Sequence, residues 1–317
     1  MNTKSVKILK IILPLVLGVL LIWYSLSKIS IHELIAYFKN ANYTYIGIGL
    51  VFGLLSHLSR AYRWKFMIEP MGYTLRYPNS IMAVFATYLV NYTIPRAGEI
   101  TRATILTNYE GVPFEKGFGT IVAERIADMV VMLSIVAVTL FLEFDFIYQF
   151  FTERFDPFKI VIGIVGLCVM ALLFFLFLKK SQSKIAFKVR SFVTGMIEGV
   201  CSIFKMKNKW AFIFHTCFIW GMYILMFYVT TWAIPETSNL PLAAILIGFI
   251  SASFSVAATN GGIGSYPVAV YAAFSIFAIA KEPSIAFGWI MWSSQTLMII
   301  VLGGLSLIYL PIYNRIK

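Results

Sequence analysis

The chain has 317 residues, of which 60% are hydrophobic and 13% charged, and its mean hydropathy is +0.83. Those proportions exclude an ordinary soluble globular domain and predict an all-α, polytopic helical membrane protein. The net charge of +12 does not argue for nucleic acid, because Lys and Arg collect at the ends of apolar runs, where the positive-inside rule puts them.

Lys4, Lys7 and Lys10 precede an apolar run over residues 11–23. The following Ser25-Leu26-Ser27 is a poor cleavage site, so the run is expected to be a retained first span. Residues 30–40 alternate at helical spacing, with Ser30 as N-cap and Glu33 three later, which predicts a short interfacial helix. A second span over 43–64 ends in Arg60, Arg63 and Lys65, which marks that end as cytoplasmic and leaves two readings for Arg60 and Arg63, snorkelling to the interface or a substrate role.

The stretch from Asn91 to Asp128 sets Arg96, Glu99, Arg102, Glu124, Arg125 and Asp128 between apolar runs. In hydrocarbon such groups are tolerated only facing protein or water with a partner, so each is a functional candidate. Pro95 lacks an N–H and Gly98 loosens the backbone, which predicts a helix break over 94–99 that lines protein or a cavity. If the helix resumes after the break, Glu99 and Arg102 share a face and Arg96 precedes a helix N-terminus, an arrangement suited to an anion. The competing expectation is that these charges only neutralise one another and pin helices together.

Pro113 starts a long helix to residue 142 on which Glu124 and Asp128, four apart, share a face beside Arg125. The connection 143–156 is mainly acidic and is placed outside. A span over 158–178 leads to the basic loop 179–209, the strongest cytoplasmic marker, whose Ile185, Val189, Phe192, Met196 and Val200 predict an amphipathic helix on the inner leaflet. Residues 210–234 span outward. Residues 242–259 re-enter and meet Asn260-Gly261-Gly262-Ile263-Gly264-Ser265 before continuing to residue 280. The last span covers 285–310, and both termini are placed on the cytoplasmic side of the inner membrane.

The sequence therefore predicts a single domain of six spans plus two oppositely oriented broken or re-entrant hairpins, 80–111 and 242–280, or eight spans if the hairpins cross fully. Inverted-repeat transporters place such breaks around a midplane site. Asn260, Gly261, Gly262 and Gly264 are candidates for the other side of that site, with close packing of small residues as the alternative. Cys168, Cys201 and Cys217 are isolated, and His32, His57 and His215 are scattered, so no disulfide framework, metal or other cofactor is expected.

Arg63-Trp64, the run Ile94-Pro95-Arg96-Ala97-Gly98-Glu99 with Arg102, Glu124-Arg125 with Asp128, and Gly261-Gly262-Ile263-Gly264 together resemble the flippase-like family that includes the transmembrane region of lysylphosphatidylglycerol synthases. The resemblance covers nearly the whole chain. It implies movement of an anionic or lipid-linked headgroup between leaflets, by the chain alone, as a homo-oligomer or beside a cell-envelope enzyme. Many members carry Glu after the Gly-Gly-x-Gly run, where Ser265-Tyr266-Pro267 stands here. The chain ends at Lys317 without room for the aminoacyl-transferase domain of those synthases, so it is not expected to be an enzyme. The competing functions are an intramembrane lipid-modifying transferase, with Glu124 and Asp128 as acid and base, and a non-catalytic scaffold for a glycosyltransferase.

Overall fold

A computed structural model describes residues 18–94, 96–154 and 206–315, with Val16 and scattered positions between 158 and 187. The start of the first span, Pro95, about half of the span 158–178 and most of the basic loop with its amphipathic helix lie outside the described residues. Among the described residues the structure is all-helical, with no strand.

In chain order the helices are α1 (Gly18–Leu26), α2 (Ile31–Asn40), α3 (Tyr43–Arg63), α4 (Lys65–Ile68), α5 (Tyr77–Thr93) and α6 (Ala97–Glu110). They continue with α7 (Phe114–Leu142), α8 (Phe144–Arg154), α9 (Lys209–Thr231), α10 (Leu242–Ala258), α11 (Ser265–Ser275) and α12 (Lys281–Arg315). Two compact parts emerge, Met1–Val122 with Trp210–Lys317, and Ala123–Lys209. Both broken hairpins, α5–α6 and α10–α11, belong to the first part.

Local chemistry explains most boundaries. Ser30 and Glu33 form the expected capping box at the start of α2, and α1 and α2 meet at 84°. Asn42 caps α3 by accepting a hydrogen bond from the Thr44 N–H at 3.1 Å. Where the sequence suggested an acidic connection over 143–156, the structure forms the 11-residue helix α8, with Phe144 and Tyr148 stacked one turn apart.

α7, α9 and α12 are long and apolar enough to cross a membrane, and the bent pair α1–α2 brings the number to as many as four among the described residues. The hairpin arms are shorter. α5 and α10 have 17 residues, α6 has 14 and α11 has 11, so they extend about 26, 26, 21 and 17 Å at 1.5 Å per residue, less than the roughly 30 Å of a bilayer core. α12 packs against α5 of the first hairpin and α11 of the second, and α3 packs against α5. This is a helical membrane protein in which one long helix runs beside both breaks.

Candidate functional site: two helix breaks

The first break begins where Ile94 turns extended at φ −129° and ends at Arg96, whose φ of 61° is left-handed. That conformation costs a non-glycine residue about 1 to 2 kcal/mol, and such outliers concentrate at functional positions. Arg96 is exposed and directly precedes α6. The new helix start is tied to the opposite arm, because the Gly98 N–H donates to Asn91 Oδ1 at 2.8 Å and Asn91 Nδ2 approaches Glu99 Oε1 at 3.4 Å. Gly98 allows this closeness: a Cβ there would strike the Thr87 carbonyl oxygen and sit 2.8 Å from the Asn91 side chain.

The two arginines that the sequence grouped have different surroundings. Arg102 is buried, with its guanidinium carbon 3.9 Å from the centre of the Trp64 ring. Trp64 is itself fully buried and donates Nε1–H to Thr120 Oγ1 at 2.8 Å. Arg102 thus joins α6 to the end of α3 through a desolvated cation–π contact, while Arg96 stands exposed at the break.

The expectation that Arg60 and Arg63 snorkel is corrected by the structure. Both are buried, at 2% and 0% exposure. Arg63 donates Nη1–H to Thr216 Oγ1 at 2.7 Å and lies 5.0 Å from the Phe212 ring centre, so α9 covers it before it can reach an interface. Beside it, Ser59 Oγ and His215 Nδ1 share a 2.8 Å hydrogen bond.

At the second break, Gly261, Gly262 and Gly264 all have positive φ, at 64°, 80° and 68°. A set of hydroxyls holds the turn. Ser255 and Ser265 share a hydrogen bond of 2.6 Å, Thr259 and Ser265 share one of 3.0 Å, and the Gly262 N–H donates to Thr259 Oγ1 at 3.1 Å. Ser265, in the place where the resembling family often has Glu, is therefore part of a neutral hydroxyl cluster. Asn260 is half-buried in the same turn.

The two breaks touch. The Tyr92 ring occupies the space that a Cβ on Gly261 would need. From α12, Trp292 donates Nε1–H to the Gly261 carbonyl at 2.8 Å, and Thr296, one turn later, donates Oγ1–H to Tyr92 Oη at 3.3 Å. On its other side the glycine turn meets α1, since a Cβ on Gly264 would lie 2.5 Å from the Leu21 carbonyl carbon. Close packing is thus one function of these glycines, as the alternative expectation held.

The second compact part carries the remaining charged candidates. Glu124 and Asp128 are buried on one face of α7, and Arg125 Nη1 lies 3.9 Å from Asp128 Oδ2. Within the first part, Arg96, Glu99 and Asn260 to Gly264 cluster around the breaks, and Arg102 lies further along α6.

Sequence reasoning missed one polar group. At the far end of the first hairpin, Arg76 Nε bonds both Glu110 carboxylate oxygens at 3.0 and 3.2 Å, and its Nη2 donates to the Tyr109 carbonyl at 2.6 Å and Asn314 Oδ1 at 2.8 Å. Asn79 Nδ2 donates to Glu110 Oε1 at 2.5 Å, and Asn314 Nδ2 donates to Asn79 Oδ1 at 2.9 Å. The first turn of α5, the last residue of α6 and the end of α12 are therefore clasped together. The available signal was a Glu and two Asn near the ends of apolar segments, where polar side chains serve as interhelical ties.

A family model described as the lysylphosphatidylglycerol synthase TM region matches residues 11–304. A UPF0104 membrane protein from Methanocaldococcus jannaschii is 24% identical over 313 residues, covering 89% of this chain and 89% of the relative. With the match extending over both hairpins and the charged stretch between them, the chain belongs to the family of the lysylphosphatidylglycerol synthase transmembrane region.

Proposed function

We propose that the protein moves a phospholipid or lipid-linked headgroup between the leaflets of the inner membrane, with both termini on the cytoplasmic side. The observation that carries this reading is the meeting of two broken helices at Tyr92 and Gly261, with Arg96 exposed in the first break. Broken helices that meet around a site are the device by which many transporters hold a polar substrate within the bilayer. The lipid class comes from the family's name.

In this mechanism Arg96 takes the headgroup phosphate, aided by the positive end of the α6 helix dipole, which favours an anion. Glu99 sits one turn inside and balances the charge of Arg96 or receives the cationic part of a zwitterionic headgroup. Asn260 and the glycine turn supply neutral polar groups opposite. Arg102, stacked on Trp64, fixes the geometry of α6. Lysines and arginines at the cytoplasmic ends draw anionic lipid to the surface.

Photo-crosslinking tests the placement. A phosphatidylglycerol carrying a photoreactive group near its headgroup is expected to label peptides containing residues 92–99 and 259–265, and Arg96→Ala is expected to reduce that labelling about tenfold or more, as loss of a charge-assisted phosphate contact would. Labelling confined to the outward faces of α7 and α12, and indifferent to Arg96, would refute the assignment.

A further inference from the structure

We infer that the Tyr92 side chain is a gate between the two helix breaks, closed in this structure, with Gly261 as its seat and Thr296 as its latch. What passes the gate rests on the lipid-handling reading above, but the gate itself follows from the packing.

The seat is fixed from several directions. Trp292 holds the Gly261 carbonyl at 2.8 Å, the hydroxyls of Ser255, Thr259 and Ser265 brace the turn, and Gly264 lies against the backbone of α1. The hinge side is fixed as well. Asn91, the residue before Tyr92, bonds the Gly98 N–H of the opposite arm, so the backbone carrying Tyr92 is tied across the break.

Between these two rigid edges stands one half-buried aromatic side chain. Its ring covers Gly261, and its hydroxyl accepts the 3.3 Å hydrogen bond from Thr296. Opening the gate requires a rotation about the Tyr92 Cα–Cβ bond that breaks the contact with Gly261 and the hydrogen bond with Thr296, and side-chain rotations are far faster than helix motions. The glycine matters for the closed position, because any Cβ at residue 261 would keep the ring from seating. Trp292 and Thr296 lie four apart on α12, so the same helix face holds the seat and the latch.

The test uses a small aqueous reagent, so that it reads the gate without any lipid being moved. In the full chain with Cys168, Cys201 and Cys217 changed to Ser, Asn260→Cys is labelled by a membrane-impermeant maleimide in proteoliposomes. Tyr92→Ala is expected to raise the labelling rate at least about tenfold, because the whole ring is removed. Tyr92→Phe and Thr296→Val remove the same hydrogen bond from opposite sides and are each expected to raise it by about fivefold, with no further gain when combined. These two conservative variants decide the matter if Tyr92→Ala does not yield a folded sample on size exclusion. Rates within twofold of the parent in Tyr92→Phe and Thr296→Val would overturn the gate. Increased labelling without lipid translocation would leave the gate standing and remove the lipid reading.

Discussion

Gly264→Ala is expected to be the most damaging glycine-to-alanine substitution among the described residues. The residue has a φ of 68°, where an added Cβ costs about 1 to 2 kcal/mol. That Cβ would also lie 2.5 Å from the Leu21 carbonyl carbon and 2.9 Å from Ile22 Cα. Both are backbone atoms of α1, and no rotamer can remove them. The helix as a whole would have to withdraw, and overpacking of this kind adds about 1 to 3 kcal/mol. The combined loss should appear as a marked fall in thermal stability in detergent, together with easier proteolysis near residues 21–22. Gly119→Ala is the control: nothing lies within 4 Å of a Cβ there, so its stability should equal or slightly exceed that of the parent, as Gly to Ala in an open helix position does. Equal behaviour of the two variants would contradict the packing of α1 on the glycine turn.

Arg102→Ala should be nearly as severe, and for a different reason. Arg102 is 1% exposed, and its guanidinium carbon lies 3.9 Å from the centre of a fully buried Trp64 ring. Removing it deletes a desolvated cation–π contact worth about 2 kcal/mol, leaves a cavity and disturbs a buried charge arrangement, for which about 3 to 5 kcal/mol in total is typical. Arg102→Lys should recover only part of this, since an ammonium cannot stack as a planar guanidinium does. Arg96→Ala should change stability by less than about 1 kcal/mol, as exposed substitutions generally do, while it weakens lipid contact. The pair thus separates an arginine that builds the fold from one that serves the site. Melting temperatures measured beside headgroup crosslinking give both quantities for each variant, and a stable Arg102→Ala protein would contradict the structural role.

The breaks themselves were legible because they depend on local chemistry. Pro95, followed by Gly98, and three glycines in four positions weaken helices locally, and the helix ends fall at Thr93 and Ala258, two residues before Pro95 and three before Gly261. The Ser30 and Glu33 capping box is likewise a contact within one turn. What could not be read is the pairing between distant segments. Nothing in the run around Gly264 announces that residues 21 and 22 will cross it, and nothing in Tyr92 announces Gly261, because those contacts are chosen by how whole helices pack. The same limit explains Arg63. Its position at the end of an apolar run suggested an interface, whereas the long-range neighbours Phe212 and Thr216 enclose it. The clasp of Arg76, Asn79, Glu110 and Asn314 joins residues up to 238 positions apart, and its members are individually ordinary.

The separation of Arg96 from Arg102 sharpens the site hypothesis. A phosphate needs an accessible cation, which the exposed residue before α6 offers, and in the proposed site the glycine turn contributes neutral groups that neither repel an anion nor hold it too tightly. A headgroup carrier must release as readily as it binds, and a site with one arginine, one nearby carboxylate and a hydroxyl-braced turn suits that requirement better than two fixed arginines would.

The most direct test is translocation by the purified protein in proteoliposomes, followed by quenching of fluorescent phosphatidylglycerol and of a fluorescent lipid-linked sugar phosphate from the outer face. The account predicts that the wild-type protein exposes inner-leaflet lipid of at least one kind faster than protein-free vesicles do, and that the Arg96→Ala, Glu99→Ala double variant, equally folded, falls back toward the protein-free rate. Rates for the folded wild-type protein that match protein-free vesicles for both lipids would contradict it.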